Sequence, residues 1–239
     1  MLGVEVYRSM ASEVAVPAMG GTVPAPPLRA RVGQAGLQRA LKRGLDLAGA
    51  ATLLLFCAPL FGILALLVRA DGGPVFYGHE RVGLGGRRFG CLKFRSMVTD
   101  SQARLAALLA ADPDARAEWE ATRKLKDDPR VTRIGRFLRA TSLDELPQLL
   151  NVLRGEMSLV GPRPVVAAEL AEHYGMAAEH YLSVRPGITG LWQVSGRSDT
   201  TYATRVALDV DYATRLSVWT DLRILLKTPL VVLARRGAY

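Results

Sequence analysis

The stretch "SLDELPQLLNVLRGEMSLVGPRP" at positions 142–164 sets two carboxylates, Asp144 and Glu145, side by side at the start of a leucine-rich segment. Two readings of the pair stand open. Ser142-Leu143-Asp144-Glu145 matches the S-x-x-E pattern, in which serine and glutamate side chains satisfy each other's backbone amides at a helix start. Leu143, Leu146, Leu149, Leu150 and Leu153 then form a buried face. Against a mere cap, Pro147 disrupts a helix beginning at Ser142 unless it falls in the donor-free first turn, so the carboxylates can lie partly outside the helix. Cations also crowd the pair: Arg130, Arg133, Arg136 and Arg139 before it, Arg154 and Arg163 after it, and Arg185 in the rigid turn "RPGITG". Carboxylates among arginines suit a divalent metal bridging to phosphate oxygens. The competing explanation is solvated surface charge.

Whatever positions that pair must also accommodate an apolar run. Positions 47–68, "LAGAATLLLFCAPLFGILALLV", hold no charged residue. As a straight helix the run would be about 33 Å long, just enough to cross a hydrocarbon core. A buried core helix fits poorly with the absence of any polar face. Arg29, Arg31, Arg39, Lys42 and Arg43 precede the run, and Arg69, Arg81, Arg87, Arg88, Lys93 and Arg95 follow it. The positive-inside tendency holds both ends on the cytoplasmic side. Pro59, which removes a donor and favours a kink, sits near the middle beside Gly62. A helix that enters one leaflet and returns satisfies both flanks, with Pro59 as its break.

Ahead of the run, residues 1–36 read as a poorly ordered arm rich in Pro, Gly and Ala. Beyond it, residues 70–239 read as a cytoplasmic domain. Short aromatic and β-branched pieces around glycines 83–86 predict a small hairpin. Residues 99–125 predict two helices divided near Asp112-Pro113, followed by short helices near 131–139 and 165–174. "RPGITGLWQVSGR" reads as a loop, and two C-terminal helices are expected to separate around Pro229. Trp219, Leu222, Leu225 and Leu226 form an apolar stripe, which fits either a membrane-interface helix or one packed on the core. The fold class is therefore an α-rich α+β fold: a monotopic membrane protein with a re-entrant N-terminal helix, a small β-hairpin and interfacial amphipathic helices.

Lys and Arg total 31 against 22 Asp and Glu, which points to an anionic partner. A nucleic-acid binder would explain the charge but not the apolar run, and no nucleic-acid-reading motif is present. Cys57 and Cys91 have no metal-ligand or disulfide spacing, consistent with a reducing compartment.

Four ordered motifs carry a family resemblance: "FGCLKFRSM", "SLDELPQLLNVLRGEMSLVGPRP", "RPGITGLWQVSGR" and the ending "DVDYATRLSVWTDLRILLKTPLVVLARRGAY". Over residues 38–239 the chain resembles the bacterial sugar transferase family, the monotopic polyprenyl-phosphate phosphoglycosyl transferases. It is similar to the short form, which lacks the multi-spanning amino-terminal region of longer members. The resemblance implies transfer of a sugar 1-phosphate from a UDP-sugar to polyprenyl (undecaprenyl) phosphate at the inner membrane, with release of UMP. It places the family's Asp-Glu dyad on Asp144 and Glu145, with Asp144 as nucleophile and both residues as ligands of Mg²⁺. Arg139 and Arg163 match phosphate-binding arginines, with Lys93 and Arg95 as further candidates. Arg185, Thr189, Gln193 and Arg197 fall on the nucleotide-sugar side. Many members carry Ser before the membrane proline, where this chain has Ala58. The ending leans toward UDP-glucose or UDP-galactose, and a homodimer is expected from the apolar surface. Rival readings are a metal-dependent phosphatase using the same aspartate and a non-catalytic membrane-anchored partner of a polysaccharide assembly complex.

Overall fold

The computed structural model describes residues 28–122, 125–195 and 201–233. The chain divides into two compact units, Met1–Leu37 and Gln38–Tyr239. Of the first, the described residues are the opening turns of helix α1, Leu28–Arg69. Most of the arm expected over 1–36 thus lies outside the described residues, and its last part belongs to α1 instead.

The apolar run forms the second half of α1, and the helix continues through Pro59 without interruption. The expected break is therefore not an end of helical structure; a proline inside a helix costs one backbone bond and bends it. Among the described residues α1 is the one helix long and apolar enough to cross a membrane. Its run touches the protein at both ends: Ala50 near the start and Leu64 and Val68 near the end are buried. Between them Leu55 and Phe56 are 79% and 83% exposed, so this is not the core helix of a soluble protein.

A hairpin follows α1. Strand β1 (Phe76–Val82) pairs antiparallel with β2 (Arg88–Phe94) across the expected glycine turn. Alternation on β2 turns Phe89 and Cys91 into the core and carries Lys93 to the same face. Helices α2 (Ser101–Ala111) and α3 (Pro113–Thr122) divide at Asp112, whose carboxylate accepts from the amides of Asp114 and Ala115. Helix α4 (Arg133–Thr141) starts at Thr132, whose hydroxyl accepts from the Gly135 amide at 2.9 Å. Gly135 is required there, because a Cβ would run into the Ser96 backbone.

The second half is wound around helix α5 (Gln148–Arg154) and a pair of short strands that the sequence reading treated as turns. β3 (Ser158–Val160) and β4 (Gly187–Thr189) pair in parallel, Ser158 opposite Gly187 and Val160 opposite Thr189. "LVGPRP" and "RPGITG" therefore lie against each other, so closely that a Cβ on Gly161 would strike the Arg185 carbonyl. Helices α6 (Ala167–His173), α7 (Ala178–Leu182) and α8 (Leu191–Val194) flank them. The last two helices, α9 (Tyr202–Thr214) and α10 (Val218–Leu233), do not separate at Pro229, which lies within α10. The break comes at Ser217, whose hydroxyl accepts from the Thr220 amide at 3.1 Å and so starts α10.

The main core gathers Ala50 of α1, Phe89 and Cys91 of β2, Leu149 and Val152 of α5, Val160 of β3, Tyr212 of α9 and Ile224 of α10. A buried polar network fastens α1 to it. Lys42 donates to Asp221 at 2.6 Å and to the Val160 carbonyl at 2.9 Å, while Asp46 accepts from Ser158 and from the Leu159 amide. α10 buries Asp221 and Ile224 but leaves Trp219, Leu222, Leu226 and Leu230 exposed. The stripe is thus split: Leu225 packs on the core and the rest faces outward.

Candidate active site

Helix α4 ends at Ser142, whose φ of 57° is the left-handed conformation. It is the one non-glycine residue with positive φ among those described. That residue turns the chain into a single 3₁₀ turn, Leu143–Glu145, which carries both carboxylates. The expected capping box does not form, because an N-cap needs extended backbone and Ser142 is committed to closing α4. Its side chain makes no cap bond, and α5 begins only after Pro147.

Freed from capping, the carboxylates face a lysine. Lys93 Nζ donates to Glu145 Oε1 at 2.7 Å and to Asp144 Oδ2 at 3.3 Å. Asp144 is only 8% exposed, while the Glu145 side chain keeps solvent contact. Burial pushes the Asp144 carboxyl above its ordinary pKa; Lys93 pulls it back, Glu145 adds to the rise, and Arg139 opposes it more weakly. Burial alone would lower the Lys93 pKa, but the charges of Glu145 and Asp144 outweigh it and hold the ammonium above the usual lysine value. Arg139 is fixed beside the turn by its Nε, which donates to Ser96 Oγ at 2.9 Å.

The remaining predicted residues divide into three groups. Arg163 stays at the site's flank, over the Trp192 ring at 5.7 Å and within the field of Glu145. Gln193 has a buried side-chain oxygen without a hydrogen-bond partner. Three others are bonded to protein groups away from the dyad. Arg95 closes the end of α1, donating to the Val68 and Pro74 carbonyls and pairing with Asp71. The Thr189 hydroxyl is bonded to Thr228 at 2.9 Å, tying β4 to α10. Arg185 donates to the Gly155 carbonyl at 2.8 Å, beyond the far end of α5 and so about 10 Å of helix away from the dyad. There it lines a cavity of about 120 Å³ with Arg39 and Arg43. Arg197 lies outside the described residues.

Sequence reasoning missed Asn151. It is fully buried in α5, where its Oδ1 accepts from the Leu92 amide at 2.9 Å and its Nδ2 donates to the Gly90 carbonyl at 2.8 Å. Those bonds hold β2, and hence Lys93, in register with the dyad's turn. The signal was present: an asparagine interrupting the leucines of "QLLNVLR" must have partners if it is buried.

Two carboxylates thus converge on one ammonium, with further cations alongside, in an α-rich protein with a long, largely exposed apolar helix. The chain belongs to the bacterial sugar transferase family, whose model matches residues 37–235. It is 58% identical over 201 residues to the "UDP-galactose-lipid carrier transferase" of Erwinia amylovora, covering 84% of this chain and 42% of that protein. It is 56% identical over 201 residues to the "Undecaprenyl-phosphate galactose phosphotransferase" of Salmonella typhimurium, with the same coverage of 84% and 42%. The chain thus spans less than half the length of these two relatives. The "Exopolysaccharide production protein ExoY" of Rhizobium meliloti is 54% identical over 199 residues, with 83% of this chain and 88% of that protein covered.

Proposed function

We propose that the chain transfers a sugar 1-phosphate from a UDP-sugar to polyprenyl (undecaprenyl) phosphate, releasing UMP, as the first membrane step of polysaccharide biosynthesis. The observation that carries this is the buried Asp144 carboxylate, held within 3.3 Å of the Lys93 ammonium on an exposed-edge turn. The names of two relatives support the reaction class, and their galactose makes UDP-galactose the first donor to test, ahead of UDP-glucose.

In the proposed sequence an Asp144 oxygen attacks the β-phosphorus, a new O–P bond forms, and the bond to the α-phosphate oxygen breaks with its electron pair leaving on UMP. An oxygen of polyprenyl phosphate then attacks the same phosphorus and releases the Asp144 carboxylate. Two substrates, one aqueous and one in lipid, need not meet in the site. Lys93, Arg139 and Arg163 offset the charge of an anion attacking an anion. Mg²⁺ fits this donor set: hard divalent ions take one or two carboxylates plus substrate phosphates, and here two carboxylates already converge on a cation. Asp144 and Glu145 would hold it, and bound there it would supply charge neutralisation on the diphosphate.

The membrane reading is monotopic, with the catalytic unit on the cytoplasmic face. Its support is that both ends of the apolar run are fastened to the same unit. Lys42 ties the start to Asp221 and Val160, and Arg95 holds the Val68 carbonyl at the end. A helix so fastened lies on the leaflet or dips into it rather than crossing. The exposed leucines of α1 and the exposed apolar residues of α10 would face lipid together.

The test is nucleotide release by nanodisc-held protein with Mg²⁺, polyprenyl phosphate and a panel of UDP-sugars, wild type beside Asp144→Asn. UMP from one sugar, lost in the variant, is the expected result. UDP in its place would indicate glycosyl transfer, and no nucleotide from folded protein would indicate a non-catalytic anchor.

A further inference from the structure

Arg205 is buried and makes no salt bridge among the described residues; the carboxylate of Asp209 acts on it only through its charge. Arg205 lies on α9, 8% exposed, and its Nε and Nη2 have no hydrogen-bond partner. Asp209, one turn further on, accepts from Tyr174 Oη at 2.7 Å and makes no ion pair with Arg205 among the described residues. What surrounds the guanidinium is aromatic: the Trp192 ring at 4.9 Å and the Tyr202 ring at 4.8 Å. Rings attract a cation but offer no lone pairs to its N–H groups. A buried guanidinium left in that state is costly, and such exceptions call for a missing partner.

Two more orphaned atoms lie on the same elements, Gln193 Oε1 on α8 and Tyr202 Oη on α9. Arg163 stacks over the same Trp192 ring at 5.7 Å. Although it keeps solvent contact, crowding and then the charge of Arg205 lower its pKa, and Glu145 opposes the shift. Arg163 thus shares the Trp192 ring with Arg205 and lies within the field of Glu145. The unmet needs are of two kinds. Arg205 requires an acceptor, best an anion, whereas Gln193 Oε1 requires a donor. A polyprenyl phosphate offers only oxygens to accept; a phosphorylated sugar or nucleoside offers phosphate oxygens together with hydroxyl or ring N–H donors.

We propose that Arg205 and Arg163, framed by Trp192, form the subsite that receives a phosphate of the nucleotide-sugar donor, with Gln193 Oε1 accepting from a donor group of the same ligand. This rests on the sugar-phosphate transfer proposed above and adds Arg205, which none of the motifs singled out. Arg205 binds substrate in the nucleotide half of the reaction and has no part in recognising the lipid.

The experiment compares wild type, Arg205→Met and Arg205→Lys as full chains in nanodiscs. It measures Tm alone and with UMP, with pyrophosphate and with undecaprenyl phosphate, together with KM for the UDP-sugar. Methionine fills the site without the unpaired charge, so Arg205→Met is expected to unfold at or above the wild-type temperature. It should lose the Tm shifts caused by UMP and pyrophosphate and raise KM at least tenfold, while its response to undecaprenyl phosphate stays intact. Lysine should restore part of the UMP response. Wild-type UMP shift and KM in Arg205→Met would overturn the proposal, as would a large fall in Tm with normal ligand responses, which is the mark of a structural residue. Loss of the undecaprenyl phosphate response alone would overturn it too, by moving the subsite to the acceptor. If wild type released no nucleotide from any donor yet showed an Arg205-dependent pyrophosphate shift, the subsite would stand and the transferase reading would fall.

Discussion

The Lys93 ammonium sits 2.7 Å from the Glu145 carboxylate, bringing a strand of the hairpin and the turn after α4 together through residues 52 positions apart in the chain. The same ammonium is the main charge stabilising ionised Asp144 against its burial. Lys93→Met is therefore expected to slow UMP release by about 100-fold or more, the usual cost of losing one charge-stabilising donor. The sign of the pH effect follows from the carboxylate. In the proposed reaction Asp144 attacks as the carboxylate, so activity is expected to fall as pH drops through its raised pKa, and removing Lys93 lifts that pKa further. The acid limb of the residual activity should move to higher pH; an unmoved limb would refute the role assigned to Lys93.

Asn151 positions Lys93 rather than touching substrate. Asn151→Leu leaves the partly buried Leu92 amide and Gly90 carbonyl without their side-chain partner. A loss of about 2–4 kcal/mol is expected from two such groups. Chemical denaturation gives that number. The kcat of protein still folded at low temperature should also fall, because β2 is no longer held to α5; unchanged kcat would make Asn151 purely structural.

Asp209 gives a pH dependence of stability. Burial pushes its carboxyl up to about 6, despite the hydrogen bond from Tyr174 and the charge of Arg205. The folded state then binds the proton more tightly than the unfolded state. Its contribution is fully present below the unfolded pKa and is lost as pH rises through the folded one, by roughly 3 kcal/mol in all. Asp209→Asn, which can still accept from Tyr174, should flatten the profile of Tm against pH between about 4 and 6. A slope equal to wild type would assign the effect elsewhere.

Leu55 and Phe56 project from α1 and are largely exposed among the described residues. Replacing both with serine is expected to shift the protein from membrane to detergent-free supernatant in flotation assays, with the near-ultraviolet circular dichroism of the folded unit unchanged. Undiminished membrane binding would mean that lipid is not what covers this face, and a second copy of the chain would be the next occupant to test by mass in nanodiscs.

Several elements were legible because their codes are local. Glycines 83–86 between β-rich pieces made the hairpin, Asp112-Pro113 divided α2 from α3, and an uncharged run made the exposed apolar half of α1. Where local codes competed, the reading failed. Ser142 carried both a capping pattern and a helix end, and the end prevailed. Ser217, an ordinary N-cap, outweighed Pro229 as the start of α10's boundary. β3 and β4 are three residues each and pair across a long stretch of intervening chain, too short for periodicity to register.

The sequence by itself determined which residue types were available: two adjacent carboxylates, a surplus of cations and a long apolar helix. It could not say that Lys93 meets the dyad while Arg95, two residues on, closes α1. Nor could it separate Arg163 at the site from Arg185 beyond the far end of α5. Those assignments belong to the tertiary structure. A charge interacts through a few ångströms of space, and the distance between residues remote in sequence is set only when strands pair and helices pack.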